Sequence, residues 1–317
     1  MSFETLAESL RRQKKYSDLF FDPKNLTIKE REELMKTFAL SLHSEISDLV
    51  SAVNFKSHRM IDNPVDQNKI LYKSVDAFRY ILAVLNLWEI TSDVFVEACE
   101  DKDLFLHRRH LMSERSCKGR SVVIFDIDDV IAEFRMSFNM WLEVKYNIKT
   151  NPHDKQYYSA SEFKNAEIET ETAFDTFILE DGFRNLPINS TAVEAMRMCK
   201  AAGYWIQLLT ARPRDNLKCF YDTHRWLHEM SIPYDSIDFS PEKFLWLTGQ
   251  EFYAKGNVVC AIDDSTKHAS EYAAHGIPVI VPVKSYNEDT KNVAGITRIN
   301  FNEMLPVDLF KMIQEQR

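Results

Sequence analysis

Glycine is missing from the first 118 residues: all seven glycines of the 317-residue chain lie at position 119 or later. Tight hairpins need residues that tolerate positive φ and helices do not. The absence therefore excludes a hairpin-rich sheet from the first third and sets a domain boundary near Ser116–Gly119. Paired cysteines are also lacking. The five present (Cys99, Cys117, Cys199, Cys219, Cys260) are odd in number and scattered, which excludes a disulfide framework or a zinc clip and fits a reducing compartment. There is no long apolar run: the longest, Tyr80–Trp88, is interrupted by Asn86 and is too short to span a bilayer. The opening MSFETLAESLRRQKK has no signal-peptide core, and Glu4 and Glu8 argue against a transit peptide. Nor is there a basic excess. A net charge of −9 argues against wholesale binding to nucleic acid or an anionic membrane. A cytoplasmic protein is expected.

What is present is an ordinary globular composition, 45% hydrophobic and 27% charged, on a chain long enough for two cores. The second half is organised around SVVIFDIDDVIAEF, residues 121–134. An apolar run, Val122 to Phe125, ends abruptly in Asp126, Asp128 and Asp129. Such a run reads as a strand buried on both faces, and open α/β sheets bind ligands at the carboxyl ends of their strands. Further strands are predicted at 205–210, 236–239, 258–262 and 278–282, with helices between them such as 190–202 and 215–229. That alternation predicts a parallel sheet covered on both faces. Its strand ends gather Asp126 and Asp128, then Thr210 with Ala211 and Arg212, then Asp263 and Asp264, with Lys243 at a helix start after Ser240–Pro241. Carboxylates, a hydroxyl and a lysine converging on one sheet edge are what phosphoryl transfer to an aspartate requires.

These residues resemble the haloacid dehalogenase-like hydrolases across about 119–300. The resemblance implies Asp126 as nucleophile and Asp128 as general acid/base. It implies a phosphate site from Thr210, Ala211 and Lys243, and Mg²⁺ held among Asp126, Asp128, Asp263 and Asp264. Asp129 stands where a glycine commonly follows the second aspartate; an aspartate tolerates left-handed φ better than most residues. DIDDVIAEF and EDGFRNLPINSTAVEAMRMCKAAGYWIQLLTARP are similar to the 5′(3′)-deoxyribonucleotidase branch. By that likeness the aromatic-rich segment 135–188 is a small helical cap, and Phe138, Trp141 and Arg212 are candidates to touch substrate.

The glycine-free half reads as helices. A capping box at Thr27 and Glu30 opens a helix to about Phe55, with apolar positions from Leu34 to Val53 spaced three and four apart. Pro64 marks a break, a second helix is predicted over about 65–99, and a third segment runs through Leu104 to Arg109. Glu45 and Asp48 lie one turn apart on the first, and Asp76 on the second; facing helices with such carboxylates can build a divalent-metal site. SEISDLVSAVNFKSHR and KSVDAFRYILAVLNL resemble the all-α nucleoside triphosphate pyrophosphohydrolases of the MazG and dimeric dUTPase group. That implies a second metal site at Glu45, Asp48 and Asp76, and homo-oligomerisation through the helices. Lys73 stands where that family has a carboxylate, so an ammonium competes for the ion's space.

The expected architecture is an all-α bundle over 1–118, followed over 119–317 by a Rossmann-like, haloacid-dehalogenase-type parallel sheet with a small cap. The expected function is a Mg²⁺-dependent nucleotidase acting on a nucleoside monophosphate, fused to an altered or inactive pyrophosphohydrolase-like domain. No nucleic-acid or membrane partner is expected. The alternatives are a bifunctional pyrophosphohydrolase and nucleotidase, a 3′-phosphatase on nucleic-acid ends, and a helical oligomerisation module carrying a nucleotide sensor.

Overall fold

The first helix, α1 (Phe3–Ser17), buries Leu6 and Leu10, one turn apart, against Leu82 and Leu85. The computed structural model describes residues 3–53, 65–113, 116–150 and 169–316, so Pro64 and the end of the expected first long helix lie outside the described residues. Helix α2 (Ile28–Val50) begins at the anticipated capping box: the Thr27 side chain accepts from the Glu30 N–H and Glu30 accepts from the Thr27 N–H. Helix α3 (Gln67–Leu87) packs against both α1 and α2.

The second long helix is shorter than predicted. It stops at Leu87, and α4 (Ser92–Ser113) starts afresh. Glu89 adopts φ 54°; the Ile90 N–H reaches the Leu85 carbonyl (2.8 Å) and the Glu89 N–H reaches that of Asn86 (3.2 Å). This paired closure ends helices, usually on glycine. With glutamate there instead, the stop left no mark in the sequence.

The described residues form two compact units, Met1–Glu100 and Asp101–Arg317. In the second, Phe105 of α4 meets the rings of Phe220 and His224 edge-on, with centroids 5.2 and 5.0 Å apart. Beyond α4 lie β1 (Val122–Phe125), α5 (Phe134–Tyr146), α6 (Thr170–Leu179), α7 (Ser190–Ala201), β2 (Trp205–Thr210), α8 (Leu217–Glu229) and β3 (Ser236–Phe239). Then follow α9 (Lys243–Thr248), α10 (Glu251–Ala254), β4 (Val258–Ile262), α11 (Thr266–Ala274), β5 (Val279–Pro282), β6 (Ile296–Ile299) and α12 (Pro306–Glu315). The six strands form one all-parallel sheet in the order β3-β2-β1-β4-β5-β6. Strand β6 was not anticipated; it is a half-exposed edge strand of four residues without an apolar run.

Along β1, Val123 and Phe125 enter one apolar core while Val122 and Ile124 enter another. This period-2 division places helices on both faces. Phe125 pairs with Leu208 of β2 and Ile262 of β4. The chain winds outward from β1 through β2 and β3, then returns to start β4 on its other side. The crevice beyond β1 and β4 is therefore the topological switch point of the sheet.

Helices α5 and α6 bring together Phe134, Phe138, Trp141, Phe174, Phe177 and Phe183 in stacked and edge-on pairs with centroids 5.2–6.2 Å apart. Tyr157, Tyr158 and Phe163 of the expected cap lie outside the described residues. Gly182 sits against this cluster: a Cβ there would lie 2.4 Å from the Phe177 ring.

Because Phe125 is fully buried at the centre of the sheet, Phe125→Ala is expected to remove about 3–5 kcal/mol of stability. Urea unfolding followed by circular dichroism measures it.

Candidate active site at the sheet's switch point

The register that aligns Phe125 with Ile262 brings the next residue of each strand, Asp126 and Asp263, to the same edge. The Asp126 N–H donates to the Ile262 carbonyl (2.9 Å) and the Asp263 N–H to that of Ile280 (3.2 Å), which continues the ladder into the site. Lys243, the first residue of α9, inserts between them. Its ammonium lies 2.8 Å from Asp126 Oδ1 and 2.7 Å from Asp263 Oδ2, and the side chain is 1% exposed. Burial alone would strip its proton, but the two carboxylates outweigh that and hold it charged, above the ordinary lysine range.

Asp126, Asp263 and Asp264 are all buried, with one oxygen of each within 4.8 Å of the others. Burial pushes the Asp126 carboxyl up to about 6, against the pull of Lys243. Asp264 is raised well above the usual carboxylate range by burial and by its acidic neighbours. Three formal negative charges face one ammonium, an imbalance that a divalent cation with oxygen ligands would offset. The residues present therefore fit a metal. Among the described residues no other three metal-ligating side chains bring their ligand atoms within 4.8 Å of one another.

Asp128, expected among the metal ligands, lies outside this trio because Arg212 takes both its oxygens. Nε donates to Oδ2 at 2.9 Å and Nη2 to Oδ1 at 2.6 Å. Arg212 is itself buried, donates through Nη1 to Thr223 (3.0 Å) and lies 4.3 Å over the Phe183 ring. Thr210 is fully buried, and its hydroxyl accepts from the Arg212 backbone N–H (3.2 Å).

Beside these groups opens a cavity of about 850 Å³ lined by Asp126, Asp128, Ala211, Arg212, Lys243 and Asp264 on the sheet side, and by Thr170, Glu171, Phe174 and Asp175 from α6; Thr210 and Asp263 lie behind that lining. Its aromatic walls are Phe134, Phe174 and Phe183. Phe138 and Trp141, the expected substrate contacts, do not line it. Phe138 is fully buried among the cap rings, and the Trp141 indole donates to Glu180 (2.9 Å). Both stand one or two turns beyond Phe134 on α5, where the helix has carried them away from the cavity. His268 and Tyr286 also line it. Nothing in the sequence marked them except that each follows a strand end. The His268 imidazole is buried, with Nδ1 3.7 Å from Glu271.

Asp129 has φ 55°, the left-handed conformation anticipated for a residue in glycine's place. Its Oδ1 accepts from the Arg135 N–H (3.1 Å) and its Oδ2 from the Tyr286 hydroxyl (3.1 Å).

In the first unit Glu45, Asp48 and Asp76 are brought together, but around Lys73. The ammonium lies 2.8, 3.0 and 3.9 Å from them in that order. Glu45 and Asp76 also border a cavity of about 340 Å³ walled by Tyr16, Phe20, Phe21, Phe38 and Tyr80.

No protein-family model matches the chain, and no curated protein does. Among solved structures, similar chains include a predicted phosphatase from Clostridium acetobutylicum, 15% identical with a TM-score of 0.42, covering 62% of this chain and 99% of that one. A HAD family hydrolase from Deinococcus radiodurans R1, with bound phosphate and sodium, is 14% identical with a TM-score of 0.43, covering 62% and 96%. A predicted phosphoglycolate phosphatase from Haemophilus somnus is 14% identical with a TM-score of 0.39, covering 62% and 99%. At this level of similarity none of their properties transfers to the chain. No helix among the described residues is long and apolar enough to cross a membrane.

The raised Asp126 carboxyl has a stability consequence. In the folded, metal-free chain its ionisation is disfavoured relative to the unfolded chain. That cost is absent below the unfolded value and fully present above about 6. In a chelating buffer the melting temperature of the native chain is therefore expected to fall as pH rises through about 6, where Asp126 loses its proton, as read by differential scanning fluorimetry.

Proposed function

We propose that the second unit is a metal-dependent phosphatase of the haloacid dehalogenase-like type, with Asp126 as the attacking carboxylate. The single observation that carries this is Lys243, buried between Asp126 and Asp263 beside Asp264 at the sheet's switch point. In this reading Asp126, Asp263 and Asp264 hold Mg²⁺, which when bound offsets charge between carboxylate and phosphate. Asp126 attacks phosphorus and the P–O bond to the leaving group breaks, leaving an aspartyl phosphate that water then hydrolyses. Lys243 meets the phosphoryl oxygens and also keeps Asp126 in place. Asp128 handles protons for the leaving oxygen and then for water. Both its oxygens are engaged by Arg212, so one of those contacts opens before a proton passes from Asp128 to the leaving group.

The substrate in this reading is a nucleoside monophosphate. The cavity is of a size that takes a ligand of a few hundred daltons, and Phe174, half-buried on its wall, offers aromatic surface to a base. Glu171 and Asp175 on the cap side would accept hydrogen bonds from sugar or base and repel further phosphates, which favours a monophosphate over a triphosphate. The acid-walled cavity and the net charge of −9 also disfavour nucleic-acid ends. With Mg²⁺, the protein is expected to release inorganic phosphate from nucleoside monophosphates. Asp126→Asn should lower kcat by about 10³-fold or more. Release unaffected by that substitution would overturn the assignment.

The first unit serves, in this reading, as an oligomerisation module rather than a pyrophosphohydrolase, because the Lys73 ammonium fills the centre of its acidic trio. No residue of α2 is buried. Ile46 and Val50 of α2, one turn apart, are exposed, as are Leu71 and Val75 of α3. Exposed apolar stripes on two packed helices favour cover by a second copy. Light scattering should give a dimer or larger assembly for the native chain and a monomer for Val50→Glu combined with Val75→Glu. A monomeric native chain would refute it.

A further inference from the structure

The loop after β5 reaches into the metal-binding corner through one hydroxyl. Tyr286 Oη lies within hydrogen-bonding distance of Asp264 Oδ2 and 3.1 Å from Asp129 Oδ2, so one phenol, with a single proton to donate, sits between two buried carboxylates. The ring is held from behind by the Arg135 guanidinium, 4.7 Å from its centroid, and Arg135 Nη1 donates to Ser285 (3.0 Å). Asn287, fully buried, donates through Nδ2 to the backbone carbonyls of Asp264 and Pro282 (2.9 Å each). The side chain and the main chain of Asp264 are thus both fixed by this one loop.

Asp129 closes the arrangement. Helix α5 has no side-chain cap of its own at Glu133; Asp129 takes the Arg135 N–H instead, from the loop after β1. A glycine would hold φ 55° at lower cost, but it would leave both that N–H and the phenol without this acceptor. The strained aspartate therefore has a reason beyond the turn.

We propose that Tyr286 is a positioning residue for the metal. Its hydroxyl aims the Asp264 carboxylate into the group formed with Asp126 and Asp263, and Asp129 anchors that hydroxyl to the start of the cap helix. This rests on the reading of Asp126, Asp263 and Asp264 as a divalent-cation site. A carboxylate without such a partner rotates about its χ angles and binds the ion less well, and losing an outer partner of a ligand typically costs 10- to 100-fold in metal affinity.

The test is Mn²⁺ binding to the full-length protein, followed by electron paramagnetic resonance of free Mn²⁺, for the native chain, Tyr286→Phe, Asp129→Gly and Asp126→Asn. Tyr286→Phe removes one oxygen and is expected to weaken binding by about 10-fold or more. Phosphate release at saturating Mn²⁺ should stay within a few fold of native, so the half-activating metal concentration moves and the plateau does not. Asp129→Gly keeps the left-handed backbone and should shift binding in the same direction by less; it also supplies the answer if Tyr286→Phe fails to fold. Native-like Mn²⁺ affinity in both variants would overturn the proposal. So would a plateau that falls while affinity holds. Failure of the native chain to bind Mn²⁺ would overturn the metal site itself, a distinguishable outcome.

Discussion

A lysine ammonium shut away from water between two aspartates is the contact on which the second unit's chemistry depends. Lys243 cannot remain charged there without Asp126 and Asp263, and those carboxylates cannot lie so close without it. The arrangement requires parallel strands β1 and β4 to end level, so that consecutive ladder bonds deliver both acids to one point. The fold thus spends stability on the site: a packed apolar pair in the same place would be cheaper. What is gained is a carboxylate with fixed direction facing an open cavity, with a flanking charge already in position.

The chain uses the same device twice, with opposite consequences. In the first unit Lys73 also stands among three carboxylates, but on helices whose surroundings are wet, where ion pairs contribute little and water competes for every partner. There the ammonium occupies the place a cation would take. In the second unit Lys243 touches two of three acids and leaves the third, Asp264, to the Tyr286 hydroxyl. The difference between a filled acidic ring and one with room left for an ion comes down to which carboxylates the lysine reaches.

Much of this was legible in the sequence, because buried parallel strands advertise themselves as apolar runs and Asp126 and Asp263 follow directly from where those runs stop, while Lys243 stands at a helix start after Ser240–Pro241. The capping box at Thr27 and the left-handed Asp129 were readable for the same reason: each depends on residues a few positions apart. What escaped depends on distant partners or on residues working against type. Glu89 ends a helix in a conformation that usually calls for glycine. Phe134, rather than Phe138 or Trp141, faces the cavity, since one helical turn decides between wall and core and the aromatic spacing is satisfied either way. Arg212 lines the cavity as a substrate candidate would, but its pairing with Asp128, 84 positions away in sequence, left no mark. Tyr286 sits in a loop with no pattern at all, and only the sheet order brings it to Asp264.

Gly182 extends this to how the chain can vary. Every other residue carries at least a methyl group into a space that the Phe177 ring already fills, and that ring is wedged among the cap aromatics that stack on Phe183 beneath Arg212. A replacement at 182 would have to push the rings one after another until the guanidinium lost its seat. Sequence drift in the cap is therefore free at its surface and closed at this turn, so descendants of this protein would keep a glycine here for reasons of volume, even after their substrates had diverged.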